Sequence, residues 1–206
     1  MKLYYCDTLN PRKVCALARY LDLPIDFVHI DLKSGEHRRP EFLALNPNGK
    51  LPVLQDGDKI LWESDAIMCH LAGLAKSDLW PQDERQIEVL RWLFWDANHF
   101  SRHGGTLYFE NLVKPNLGIG TPDEAVVAQA ATFFRNFAAV LDGHLKGRDF
   151  VVGNRLSVAD FALAACLAYG EGAKLPLAPF KEIERWYAGI AALPAWQAPY
   201  GPAAAA

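Results

Sequence analysis

Residues 50–64 read Lys-Leu-Pro-Val-Leu-Gln-Asp-Gly-Asp-Lys-Ile-Leu-Trp-Glu-Ser, and few folds accept that order. Two short apolar runs, 51–54 and 59–62, flank Asp56-Gly57-Asp58. An Asp-Gly pair between such runs makes a hairpin, because the turn needs positive φ angles that glycine adopts cheaply. Pro52 has no N–H to give to a ladder, so it stands at a strand entry, at an edge or in a cis bond. Glu63-Ser64-Asp65 then leads into Ala66-Ile67-Met68, which reads as a helix start with Ser64 as its cap and acidic residues at its positive end. A proline-bent strand and a helix N-terminus therefore lie a few residues apart. Together they offer backbone groups to a small, peptide-like anion.

The chain on either side of this segment has a clear order. Residues 2–5 read as a strand and 6–11 as a loop. Pro11 fits the first turn of a helix that carries Val14, Leu17, Ala18 and Leu21 on one face and ends before Pro24. Residues 25–32 alternate as a second strand, and strand–helix–strand spacing implies a parallel pair. A polar loop, a short helix over 40–45 and the stop Asn46-Pro47-Asn48-Gly49 lead to the hairpin. Residues 1–76 thus form a β-α-β-α-β-β-α domain, and 77–81 form a linker. Residues 82–206 carry almost no strand signal and form an all-helical domain. Helices are predicted over 82–104 and 122–145, from Ser157 to 169 with Asp160 closing a capping-box-like start, and over 180–193. The end, 201–206, is expected to fray.

Composition narrows the function classes. Hydrophobic residues make up 51% and charged residues 22% of the 206, the balance of a globular chain. The net charge is −3 with no basic block, so neither nucleic acid nor a membrane surface is an expected partner. No apolar run reaches spanning length, and residues 1–6 lack the apolar core of a secretory signal. The expected compartment is the cytoplasm. Cys6, Cys15, Cys69 and Cys166 form no Cys-x-x-Cys pair, which fits reduced thiols and no metal site.

The β-α-β-α-β-β-α order, the stretch Asn46-Pro47-x-Gly-Lys-Leu-Pro-Val-Leu54, the run Glu63-Ser64-Asp65-Ala66-Ile67 and the Ser157-x-x-Asp160 helix start resemble the cytosolic glutathione S-transferase family. Thr8-Leu9-Asn10 is similar to the pattern of a bacterial, theta/nu-like subset. The resemblance spans essentially the whole chain. It implies a thioredoxin-like N-terminal domain with a mixed four-stranded sheet, an all-helical C-terminal domain and a homodimer. It also implies glutathione as co-substrate with no permanently bound cofactor, and a small hydrophobic electrophile as the second substrate.

On this resemblance the site residues follow. A free thiol has a pKa of about 8.5 and is a poor nucleophile at neutral pH, so donors must hold the glutathione sulfur as thiolate. Thr8 and Asn10, in the loop after the first strand, are the expected donors. The backbone of Leu51 before Pro52 corresponds to the clamp on the cysteinyl part. Glu63 and Ser64 correspond to the pair that takes the γ-glutamyl end, and His37 and Lys50 to the positions that meet the glycyl carboxylate. Trp95, His99, Phe100, His103 and Tyr108 are the candidate lining of the acceptor pocket, although aromatic residues at helical spacing are as often core.

Alternatives stand beside this reading. Asn10 ahead of Pro11 fits a helix N-cap. Cys6 is a candidate for a mixed disulfide, yet the register of the Cys-Pro-x-Cys motif of redox relatives holds Asn10-Pro11-Arg12-Lys13, which disfavours a thiol reductase. The leading alternative to an enzyme is a non-catalytic binding or interaction module of the same fold.

Overall fold

The computed structural model of the chain describes residues 1–201. The chain forms two compact bodies, Met1–Trp80 joined by the described part of Leu193–Ala206, and Pro81–Ala192.

In the first body, Lys2–Tyr5 forms β1, Leu9–Tyr20 α1, Asp26–His29 β2, Pro40–Leu43 α2, Val53–Asp56 β3, Lys59–Trp62 β4 and Ser64–Leu74 α3. The sheet order is β2-β1-β3-β4. β1 runs parallel to β2 and antiparallel to β3, with Leu3 opposite Phe27 on one side and Leu54 on the other. β3 and β4 pair as the predicted hairpin. Asp56 lies opposite Lys59, so the loop is Gly57-Asp58, with Gly57 at φ +58°. Leu3, Val14, Leu17, Val53, Leu54, Ile67, Met68 and Leu71 form the core. This is the thioredoxin-like arrangement, with α1 packed against α3.

The first body also takes in the end of the described chain. Pro194–Gln197 forms a short helix whose Trp196 is buried. Arg12 Nη2 donates to the Trp196 carbonyl at 2.8 Å, and its guanidinium carbon lies 5.4 Å from the centre of that ring. An all-helical domain over 82–206 does not anticipate this return. The expected fraying of 202–206 lies outside the described residues.

In the second body, Arg85–Trp95 forms α4, Ser101–Tyr108 α5 and Lys114–Leu117 α6. The π-helical turns Asp96–Phe100 and Phe109–Val113 join them into one continuous rod. The predicted stop at residue 104 is therefore overturned. Gly104-Gly105 looks like a terminator, but Gly104 serves close approach: a Cβ there would sit 3.1 Å from the Cβ and Sγ of Cys166 and 3.2 Å from the Phe134 ring. Glu124–Leu145 forms α7, Val158–Ala164 α8 and Lys181–Ala191 α9. Every residue of α8 is buried, as its nearly all-apolar sequence predicts. Its start is fixed by Asp160, which closes a capping box with Ser157.

Candidate functional site

The first body brings two helix N-termini together. Thr8 is the N-cap of α1, with extended backbone and no hydrogen bond from its side chain into the helix. Its Oγ1 instead lies 3.2 Å from Cys6 Sγ, while its N–H donates to the Cys6 carbonyl at 2.9 Å. Asn10 is exposed in the first turn. The N-cap alternative for Asn10 is thus overturned, because the helix begins before Pro11. Proline lacks an N–H and fits anywhere in a first turn, so it does not by itself mark the first residue.

Ser64 is the first residue of α3, and Glu63 rather than Ser64 occupies the cap. Glu63 has φ +73° and ψ +112°, a left-handed conformation costly for a residue with a Cβ and characteristic of sites that hold a ligand. Ser64 is buried and faces the positive end of the helix. The Leu51–Pro52 bond is cis, one of the three states open to it from sequence.

A buried ion pair ties the two termini. Lys13 Nζ donates to Asp65 Oδ1 at 2.6 Å, with the Lys13 side chain only 4% exposed. The sequence reading gives Lys13 no role and Asp65 only that of an acidic residue at the start of its helix. A lysine on an otherwise apolar helix face, with an aspartate in the first turn of another helix, is the signal that points to the pair.

Asn46 is a second unforeseen residue. It is buried and holds the loop before the cis bond: its Nδ2 donates to the Lys50 carbonyl at 2.8 Å, and its Oδ1 accepts from the Asn48 N–H at 3.1 Å and Nδ2 at 2.9 Å. An asparagine accepting from the backbone two residues on is an Asx turn, which Asn46-Pro47-Asn48-Gly49 already suggests.

His37 and Lys50 converge. Burial, then Arg38 and Lys50, hold the His37 imidazole below its usual range. A Cβ on Gly49 would lie 3.2 Å from the His37 carbonyl. Arg38 Nε donates to His37 Nε2 at 3.3 Å, which leaves the proton on Nδ1. That Nδ1 is buried and has no hydrogen-bond partner among the described residues.

Burial disfavours the thiolate at Cys6, Cys15 and Cys69. Burial pushes the Cys6 thiol up, the Thr8 hydroxyl pulls it back and Asp7 raises it further. Burial also raises Cys15, and takes Cys69 up to about 12. A mixed disulfide at Cys6 gains no support from this setting.

The candidate acceptor residues divide. Trp95, His99 and His103 are half-buried. His99 stacks on Phe137 at 4.7 Å, and His103 on Phe133 at 4.9 Å. Phe100 is fully buried, stacked on Phe134 at 4.7 Å, and Tyr108 is buried edge-on to Tyr169 at 5.0 Å. These two are core residues of the second body: Phe100 lies seven residues after buried Leu93 and four after buried Asp96, on the same helix face.

Two family models match the chain. Glutathione S-transferase, N-terminal domain, covers residues 1–73, and glutathione S-transferase, C-terminal domain, covers residues 100–194. Glutathione S-transferase 3 from Zea mays is 35% identical over 206 residues, which span 96% of this chain and 91% of that protein. The solved structure of glutathione S-transferase III in apo form matches with a TM-score of 0.84 at 34% identity, covering 95% of this chain and 93% of the other. That of glutathione S-transferase-I bound with the ligand lactoylglutathione matches with a TM-score of 0.84 at 29% identity, covering 95% and 96%.

Proposed function

This chain belongs to the glutathione S-transferase family, and from that premise we propose that Thr8 and Asn10 hold the sulfur of glutathione as a thiolate for transfer to a small electrophile, a peroxide or a disulfide. The enzyme is a glutathione transferase that uses glutathione as co-substrate. The observation that carries the site assignment is the Lys13–Asp65 pair at 2.6 Å. It joins Lys13, just over one turn beyond Thr8, to Asp65, the residue after Ser64, which supports reading the two helix starts as parts of one site.

The chemistry needs about two units of thiol pKa depression, near 2.7 kcal/mol. One or two hydrogen bonds to a charged sulfur supply about 1.5–3 kcal/mol each. The proton leaves to solvent. The thiolate then donates its electron pair to the electrophilic atom, and the leaving group departs with the pair from the broken bond. Thr8 Oγ1 already lies 3.2 Å from one sulfur, Cys6 Sγ, which supports its role at another. Glu63 accepts from the γ-glutamyl ammonium, and Ser64 donates to the γ-glutamyl carboxylate. The Leu51 backbone at Pro52 clamps the cysteinyl unit, and Lys50 and His37 meet the glycyl carboxylate. Trp95, His99 and His103 offer flat surfaces for an apolar acceptor. The Thr8-Leu9-Asn10 tripeptide supports placement in the theta/nu-like subset, against the plant source of the relative at 35% identity.

Kinetics test the division of labour. Thr8→Ala or Asn10→Ala is expected to lower kcat about 10–100-fold and raise the pKa of the bound thiol, as loss of one charge-stabilising donor does. Glu63→Ala and Ser64→Ala are expected to raise the KM for glutathione with a smaller change in kcat. Loss of activity in Cys6→Ser with both donor variants fully active sinks the assignment.

We also place the enzyme in the cytoplasm as a homodimer. No helix among the described residues is long and apolar enough to cross a membrane. Ile87 and Phe94 on α4 are 65% and 67% exposed, and Val126, Phe133 and Val140 make an exposed stripe at seven-residue spacing on α7. Apolar surface of this kind marks an interface. Sedimentation equilibrium is expected to give twice the chain mass, with Phe94→Lys weakening the dimer. A wild-type monomer at micromolar concentration refutes it.

A further inference from the structure

The end of the described chain returns to the loop that bears Thr8. Tyr200 Oη donates to Asp7 Oδ1 at 3.0 Å, and Asp7 lies between Cys6 and Thr8. The Tyr200 ring stacks on Tyr5, the last residue of β1, with centroids 4.9 Å apart and planes 13° from parallel. Arg19 Nη2 donates to the Tyr200 carbonyl at 3.3 Å. Further back, buried Trp196 is held by Arg12 in the first turn of α1. Residues 193–201 therefore grip both ends of the loop, at β1 through Tyr5 and at α1 through Arg12, and its middle through Asp7.

We infer that this C-terminal strap sets the position of the Thr8 hydroxyl, with Tyr200 as a positioning residue for thiol activation. The inference rests on the Thr8 reading above. Thr8 caps α1 without a side-chain bond into the helix, so its aim depends on what holds residues 6–8. The N–H of Thr8 fixes the chain to Cys6 on the inner side, and the Tyr200–Asp7 bond is the outer tie. A donor must sit within a few tenths of an ångström to act on a forming charge, and small displacements cost rate steeply. Tyr200 acts in a second way as well. It donates to a carboxylate whose charge opposes thiolate formation in this loop, as its effect on Cys6 shows. The other charged or titratable groups near this spot among the described residues include Arg12, Cys15 and Arg19 of α1, Tyr5 of β1 and His29 of β2.

Tyr200→Phe keeps the stack and removes the hydroxyl. With full-length protein and saturating glutathione, kcat is expected to fall about fivefold, the loss of one hydrogen bond. The bound thiol, followed by the ultraviolet absorbance of its thiolate, is expected to titrate about 0.7 pH unit higher, the same factor. The KM for glutathione is expected to stay within twofold of wild type. Asp7→Ala guards against a folding defect peculiar to Tyr200: it removes the same tie together with the opposing charge, so in the Asp7→Ala background Tyr200→Phe is expected to lower kcat no further. An unshifted titration and unchanged kcat in Tyr200→Phe overturn the strap's role and leave the Thr8 reading standing. A raised KM with unchanged kcat overturns it as well, since that is a binding effect. Wild-type protein that binds glutathione without ionising it overturns the Thr8 reading and this inference together.

Discussion

Asp160→Ala is expected to cost about 3–5 kcal/mol of stability, the cost of removing one partner from a buried charged network, and to leave little folded protein at 37 °C. The carboxylate lies at the centre of the second body, and both its oxygens are used. Oδ1 accepts from the Val151 N–H and from Trp186 Nε1, each at 3.0 Å. Oδ2 accepts from the Ser157 N–H and hydroxyl, each at 2.9 Å. Alanine strands four buried donors from three segments, and each is costly to leave unmet. Asp160→Asn keeps one acceptor oxygen and is expected to fall between alanine and wild type in urea unfolding.

The pH dependence follows from the same burial. Desolvation pushes the Asp160 carboxyl up to about 6, opposed by the Val151 and Ser157 N–H groups, Trp186 and the Ser157 hydroxyl. The ordinary aspartate value is about 3.9, so the folded state holds this proton more tightly than the unfolded chain. The stability this contributes is complete below pH 3.9, is lost as pH rises to about 6, and is absent above. The stability difference between wild type and Asp160→Asn is expected to decline across that window and stay flat beyond it. A difference that grows from pH 4 to 6 reverses the sign and refutes the account.

The second large effect is at the ion pair. Asp65→Ala is expected to cost about 3–5 kcal/mol, because it deprives a buried ammonium of its carboxylate. Lys13→Met is expected to cost less, since it places an apolar chain of similar length in the interior, and Asp65 is 24% exposed. The double variant is expected to recover most of the loss, the usual result of replacing a buried pair by apolar groups. Stability and activity then separate. The recovered double variant has lost the link between the Thr8 and Ser64 helix ends, and its kcat/KM for glutathione is expected to stay at least about tenfold down. Full activity in the stable double variant means the pair serves folding alone.

What the sequence disclosed depended on whether the signal was local. The hairpin was legible because Asp-Gly between apolar runs has one cheap solution. The start of α3 was legible because Glu-Ser-Asp stops a strand and opens a helix within three residues. The core role of α8 was legible because an all-apolar helix has only one place to go. Non-local demands were not. Gly104 looks like a helix end until Cys166 and Phe134 are known to press on it. Phe100 reads equally as pocket lining or as core until Phe134 is known to stack on it. Lys13 and Asp65 lie on different helices, and their pairing depends on how those helices pack. Tyr200 and Asp7 are near opposite ends of the chain, and no pattern within a window joins them.

That last junction bears on the order in which the molecule is built. A chain is made from its N-terminus at about 5–20 residues per second and folds by units as it emerges. The sheet of the first body is complete in sequence by Trp62, yet Trp196 and Tyr200 arrive only after all of Pro81–Ala192 has been made. The newly made first body therefore waits on the order of ten seconds at those rates with the outer face of the Tyr5–Arg12 loop uncovered. Among the described residues, the tie from Tyr200 to Asp7 is then one of the late contacts to form, well after the sheet it rests on.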